Sequence, residues 1–308
     1  MMRAPFPWQA DQWRQLQQAH AAGRMPHALL LHGNVGLGKH AFATALAQWL
    51  LCRSPGETAC GECNACRQFA AGSSPDFVTV APLEDKKTIS VEQVRELIDT
   101  LSLTSHAGGF RAAVVAPADV MTPSAANALL KTLEEPPGKT VLMLVSARPA
   151  RLPATVRSRC RLIRFAPPPA ASALDWLRAQ GGLDARAANE ALSASHGSPV
   201  RALALATEGG LERRAAVIAA ARDVAAGRRN PVEAAEAIVK EPLADTIGWL
   251  SGWAAGEIRA ATLAGSDARR MLALLDRLYE AEKLRDTSAN PQLLLESLLV
   301  PLAPLRAA

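Results

Sequence analysis

The chain has 308 residues, of which 49% are hydrophobic and 20% charged, a balance that excludes a disordered polymer and allows two or three domains. Aromatic residues are scarce at 4% while Ala and Leu abound, which favours helices, and a net charge of +5 permits nucleic-acid contact without requiring it. No apolar run approaches the ~18 residues that span a bilayer, and the opening MMRAPFPWQADQWRQL lacks the apolar stretch of a signal peptide, so a cytoplasmic protein is expected.

In chain order, HALLLHG at 27–33 reads as a short buried strand. It is followed by a glycine turn and by Phe42, Leu46, Trp49 and Leu50 at helical spacing. The turn matches G-x-x-x-x-G-K through Gly33, Gly38 and Lys39, with Gly36 between them. Backbone N–H groups of such a loop surround phosphate oxygens, the helix start adds partial positive charge, and Lys39 reaches the terminal phosphates. The bland alternative is a glycine-rich turn with a solvent-facing lysine. His40 stands where a hydroxyl would hold magnesium, and imidazole is a poor ligand for that hard ion. Gly33, Gly36, Gly38, Lys39 and His40 therefore form a degenerate nucleotide site.

Directly after this helix, Cys52, Cys60, Cys63 and Cys66 fall within fifteen residues, separated by seven, two and two. The spacing suits a structural zinc site with four thiolate ligands and no open position. An iron–sulfur cluster or metal-free thiols are the alternatives; the polar loop and the lack of other redox signals favour zinc. Cys160 is remote and reads as a small buried hydrophobe.

SVEQVRELIDTL begins a helix at Ser90 with Gln93 completing a capping box. RAAVVAPAD at 111–119 is a strand candidate, but Ala116 and Pro117 occupy the place of the acidic pair expected to grip magnesium, and Asp119 lies past the strand end. Thr122-Pro123 opens a helix that carries Ala126, Leu129, Leu130 and Leu133 on one face and stops at Pro136-Pro137. TVLMLVSA at 140–147 reads as a strand covered on both faces. Alternation of this kind predicts a parallel three-layered α/β sheet. Prolines 167–169 then mark a boundary, beyond which every segment has helical periodicity. The expected fold is α/β followed by all-α, with boundaries at 1–166, 167–208 and 209–308 and a cysteine module at 52–66.

The phosphate loop, the four-cysteine insertion, NALLKTLEEPP at 127–137 and Ser158-Arg159-Cys160 together resemble bacterial clamp-loader subunits. The likeness is strongest over residues 25–168. It implies an AAA+ P-loop module, a small helical lid domain and a helical collar. The implied assembly is a hetero-pentameric ring with gamma/tau and delta subunits that loads a sliding clamp on primed DNA. The degenerate loop aligns the chain with members that do not hydrolyse ATP, while leaving room for ATP bound without hydrolysis. Active ATPases of the gamma/tau type, or a zinc-bearing DNA-binding adaptor, are the competing functions. The resemblance makes Arg159 the arginine finger acting on a neighbour's ATP, where the residues alone suggest a basic edge strand of Arg157, Arg159, Arg161 and Arg164. Likewise it makes Arg201, in HGSPVRALAL, a phosphate sensor, where a capping or surface arginine is the blander reading. Ser146 falls in the first-sensor region or is simply a buried strand-end serine. Lys86, Lys87 and Thr88, before the 90–101 helix, are candidates for DNA phosphates or for a solvated loop. His27, His32, His106 and His196 show no metal or triad spacing. The resemblance places the chain in a replicative polymerase assembly without making it a catalyst itself.

Overall fold

The computed structural model describes residues 5–103, 109–264, 268–285 and 289–304, so His106 lies outside the described residues. The chain divides into two compact units. One runs to Ala173 and includes Ser198–Val200; the other holds Leu174–Gly197 and the residues from Arg201 onward.

In the first unit, α1 (Ala10–Ala21) precedes β1 (Ala28–His32), α2 (Lys39–Leu51), α3 (Asn64–Ala70), β2 (Phe77–Val80) and α4 (Val91–Ser102). There follow β3 (Arg111–Val115), α5 (Pro123–Ala128), α6 (Leu130–Glu134), β4 (Thr140–Ser146), α7 (Ala154–Arg157) and β5 (Arg161–Arg164). All strand pairs are parallel, in the order β2-β3-β4-β1-β5. The chain leaves β1 for the far edge, returns through β3 and β4, and crosses β1 to form β5, so the direction of winding reverses beside β1. Ligands of such sheets sit outside the carboxyl ends of the strands at that reversal.

Two-residue alternation divides the core into two layers. Leu29, Leu31, Ala112, Val114 and Met143 pack with Trp13, Leu16, Phe42, Leu46 and Trp49 from α1 and α2. On the other face Leu30, Ala113, Val115, Leu142 and Leu144 pack with Val94, Leu97, Ala126, Leu129, Leu133 and Val156 from α4 to α7. β4 is buried at every residue, as the apolar run predicts. Ser90 and Gln93 form the expected reciprocal cap of α4, and Thr122 caps α5 with Pro123 at its first position. The third strand stops at Val115, short of 119; Ala118–Val120 is a single 3-10 turn, because Pro117 has no N–H for the ladder. α1, α3, α7 and β2 have no counterpart among the elements predicted from the sequence.

α8 (Ala170–Gly181) leads from the first unit into the second. α9 (Ala185–Ala194), α10 (Pro199–Thr207), α11 (Gly210–Ala225) and α12 (Pro231–Ile238) follow, and α13 (Leu243–Ala264), α14 (Arg269–Leu284) and α15 (Pro291–Leu299) complete the chain. The core of the second unit is helix on helix: Val217, Ala221, Ile238, Trp249, Leu250, Leu274, Leu278, Leu295 and Leu299 form one buried cluster. Among the described residues no helix is long and apolar enough to cross a membrane.

Candidate functional site

The loop after β1 needs its glycines. Gly33 has φ +147°, and a Cβ there would lie 2.1 Å from the Phe165 carbonyl oxygen. Gly38 has φ +78°, and a Cβ there would lie 2.3 Å from the Phe6 ring. Only glycine fits either position. Gly36 completes the loop, also at positive φ.

Lys39 begins α2 and is buried, not solvent-facing. Its Nζ donates to the carbonyls of Gly33 (2.7 Å) and Asn34 (2.6 Å). Burial lowers its pKa to about 8, against the nearby Asp119 charge, which raises it. Burial also lowers His32, helped by the Arg164 and Lys39 charges. His40 is exposed on the first turn of α2. The segment before α1 roofs the loop: Trp8 Nε1 and Gln9 Nε2 both donate to the Leu37 carbonyl, at 3.1 and 2.8 Å. Phe6 and Trp8 stack with ring centroids 4.8 Å apart. Nothing in the sequence pattern flagged these three side chains as loop partners.

At the carboxyl ends of β3 and β4 the structure gathers residues that the sequence keeps apart. Asp119 is buried. One carboxylate oxygen accepts from Ser146 Oγ (2.8 Å) and the Ala147 N–H (3.1 Å), and the other accepts from Arg148 Nε (3.1 Å). Burial pushes the Asp119 carboxyl up, but these hydrogen bonds and the Arg148 charge outweigh it and hold it below the ordinary value. Its acidity had been visible in the sequence; its return to the strand ends through a 3-10 turn had not. Asp119→Asn removes the charge from this knot and is expected to cost about 1–3 kcal/mol at neutral pH, measured as the difference in urea unfolding free energy. The stabilisation is present above the ordinary carboxyl value of 3.8 and lost as pH falls through the depressed one. The gap between the two proteins should therefore close on acidification.

The four cysteines form a separate centre. Cys52 follows α2, Cys63 caps α3, and Cys66 lies within α3. All are free thiols, and their sulfurs lie within 4.8 Å of one another. Cys60 and Cys66 Sγ are 3.9 Å apart, close to the ~3.8 Å edge of a tetrahedron with 2.3 Å zinc–sulfur bonds. Backbone N–H groups of Cys60, Cys63 and Cys66 donate to the sulfurs of Cys52, Cys60 and Cys63, as expected around thiolates. Burial raises the Cys63 thiol, but hydrogen bonds from the Arg53 and Cys66 backbone and from neighbouring thiols bring it down to about 6. Burial pushes Cys66 up to about 12. The residues fit one zinc ion, which would hold the loop closed. Trp49 Nε1 on the Gly56 carbonyl, with Trp13 Nε1 and Gln17 Nε2 on that of Glu57, ties the intervening loop to α1 and α2.

Arg159 stands in the tight turn between α7 and β5, held by Glu134 and the Thr155 carbonyl. Arg161 and Arg164 do lie on an edge strand; Arg159 precedes it. Arg201 belongs to the second unit and pairs with Asp245 at 2.5 Å. Lys86, Lys87 and Thr88 are exposed before α4. His27 contacts the Leu133 carbonyl at 2.9 Å. Cys160 is buried, and burial raises its thiol to about 11.

A family model described as DNA polymerase III, delta subunit, matches residues 8–169. The DNA polymerase III subunit delta' of Pseudomonas aeruginosa is 38% identical over 325 aligned residues, covering 97% of this chain and 98% of that protein. The Escherichia coli subunit delta' is 43% identical, over 65% of this chain and 60% of that protein. The Yersinia pestis subunit delta' is 37% identical, over 94% and 85%. By family model and by near full-length identity, the chain belongs to the delta' subunits of DNA polymerase III.

Proposed function

We propose that this delta' subunit is a non-hydrolysing stator of a clamp loader. It has an AAA+ module over 1–166 with a zinc insertion at 52–66, a lid over 167–208 and a collar over 209–308. It works in the cytoplasm within a hetero-pentameric ring with gamma/tau and delta subunits, and helps place a sliding clamp on primed DNA. Arg159 is supplied in trans to the ATP of the adjacent subunit, where a guanidinium neutralises charge developing on the transferred phosphoryl. Arg201 takes the phosphate-sensor role that the family resemblance implies, and Lys86, Lys87 and Thr88 approach the DNA backbone.

The observation that carries this reading is the fate of the acidic group at the strand ends. The glycine loop has the bends of a phosphate cradle, yet His40 stands where a loop hydroxyl would be needed, and both oxygens of Asp119 accept hydrogen bonds, from Ser146, Ala147 and Arg148. A magnesium ion there would have neither a hydroxyl nor an unengaged carboxylate. Hydrolysis then has to occur on a neighbour.

Mixing the purified chain with gamma/tau and delta subunits tests the proposal. The expected result is a stable complex that loads a clamp, while the isolated chain shows no magnesium-dependent ATP hydrolysis. Hydrolysis by the isolated chain that disappears in Lys39→Ala would make it an ATPase instead. Tight, steeply salt-dependent DNA binding without subunit association would make it an adaptor.

A further inference from the structure

A guanidinium carries five N–H donors, one on Nε and two on each terminal nitrogen. In Arg159, Nε donates to Glu134 Oε1 at 2.7 Å, one Nη2 N–H points to the same oxygen, and Nη1 donates to the Thr155 carbonyl at 2.9 Å. Three donors are thereby used, which leaves one N–H on each terminal nitrogen. The Arg159 side chain stays about one-third exposed, at 34%.

The backbone beneath it is fixed. Arg159 N–H donates to the Val156 carbonyl and Cys160 N–H to that of Arg157, and Val156 and Cys160 are both buried in the sheet-face core. Glu134 is the last residue of α6, which packs beside α7 and is stopped by Pro136-Pro137. The carboxylate and the arginine thus project from two anchored elements, 25 residues apart in sequence.

We infer that Glu134 is a positioning residue for Arg159. It grips the guanidinium along its Nε–Nη2 side and turns the remaining pair of N–H donors outward, toward an oxyanion brought by a neighbouring subunit. An arginine without this brace would give up its rotamer freedom at each encounter; the braced one has already done so, which is how fixed donors accelerate reactions that develop charge. A carboxylate acting instead as a latch would engage the donors an anion needs, and here two remain. The inference rests on the trans role proposed for Arg159.

The test uses the full chain assembled with gamma/tau and delta subunits, measuring DNA-stimulated ATP turnover across nucleotide concentrations. The variants are Glu134→Ala, Glu134→Gln, Arg159→Ala and the double variant Glu134→Ala/Arg159→Ala. Glu134→Ala is expected to lower kcat roughly three- to tenfold at nearly constant KM. Glu134→Gln, which keeps an acceptor oxygen without the charge, should fall between it and wild type. The double variant should match Arg159→Ala, because the carboxylate acts only through the arginine. Thermal melting should be unchanged in each, since the pair is solvent-exposed. Wild-type or faster turnover in Glu134→Ala, in a complex that Arg159→Ala does slow, would overturn the inference and leave the trans role standing; so would a double variant slower than Arg159→Ala. Wild-type turnover in Arg159→Ala would instead remove the trans role itself, and this inference with it.

Discussion

Replacing Arg159 with Ala should lower ATP turnover at the neighbouring subunit's site on the order of 10³-fold while leaving the chain folded and assembled. The two halves of that expectation have different physical sources. On the trans role proposed for Arg159, the catalytic loss comes from withdrawing a positive charge from the phosphoryl group as negative charge spreads over its oxygens. The structural indifference comes from exposure: Arg159 and Glu134 pair at the surface, with side chains 34% and 50% exposed, and such pairs contribute about 0–1 kcal/mol. Arg159→Lys should rescue little, because an ammonium has no planar fork to span two phosphate oxygens. Reconstituted complexes with DNA-stimulated hydrolysis as readout decide the matter. A variant complex as fast as wild type would mean that this turn is only the start of a basic edge strand.

Cys66→Ser is expected to be the most damaging single substitution in the first unit. Cys66 is 1% exposed, and among the described residues it shares a small apolar cluster with Cys52, Ala59, Cys60 and Cys63. A cluster of that size buries too little to order the 52–66 loop by itself, so metal coordination would supply most of the local stability. Loss of a structural metal belongs among the changes that cost about 4 kcal/mol or more. Elemental analysis should find about one zinc per chain in the wild type and none in the variant, with earlier thermal unfolding and proteolysis within the loop. A chelator should reproduce the effect on the wild type. It should act more readily as pH falls, because protons compete with the metal for the thiolates. Iron in place of zinc, or a variant that melts like wild type, would refute a structural zinc site.

Local chemistry was legible wherever it is contiguous. The capping box at Ser90 and Gln93, the apolar run of β4, the glycine turn ending in Lys39 and the C-x2-C pairs each depend on residues a few positions apart. Helix and strand periodicities, or turn geometry, translate such spacings directly into space. β2 was missed because FVTV is short and only partly buried, so it lacks the apolar run that marked β4. The segment Phe6–Gln9 was missed because its partner, Leu37, lies 28 residues away from Gln9.

What the amino-acid sequence determined by itself is the stock of parts: a glycine turn running into Lys39 and His40, four clustered thiols and a run of helices after the prolines at 167–169. Only the tertiary structure decided how the distant parts pair. Asp119 meets Ser146 and Arg148 because β3 and β4 are parallel neighbours whose carboxyl ends lie side by side. Glu134 meets Arg159 because α6 and α7 share one face of the sheet. Strand order and helix packing follow from burying the whole chain's apolar surface at once, and no short window of sequence contains that information.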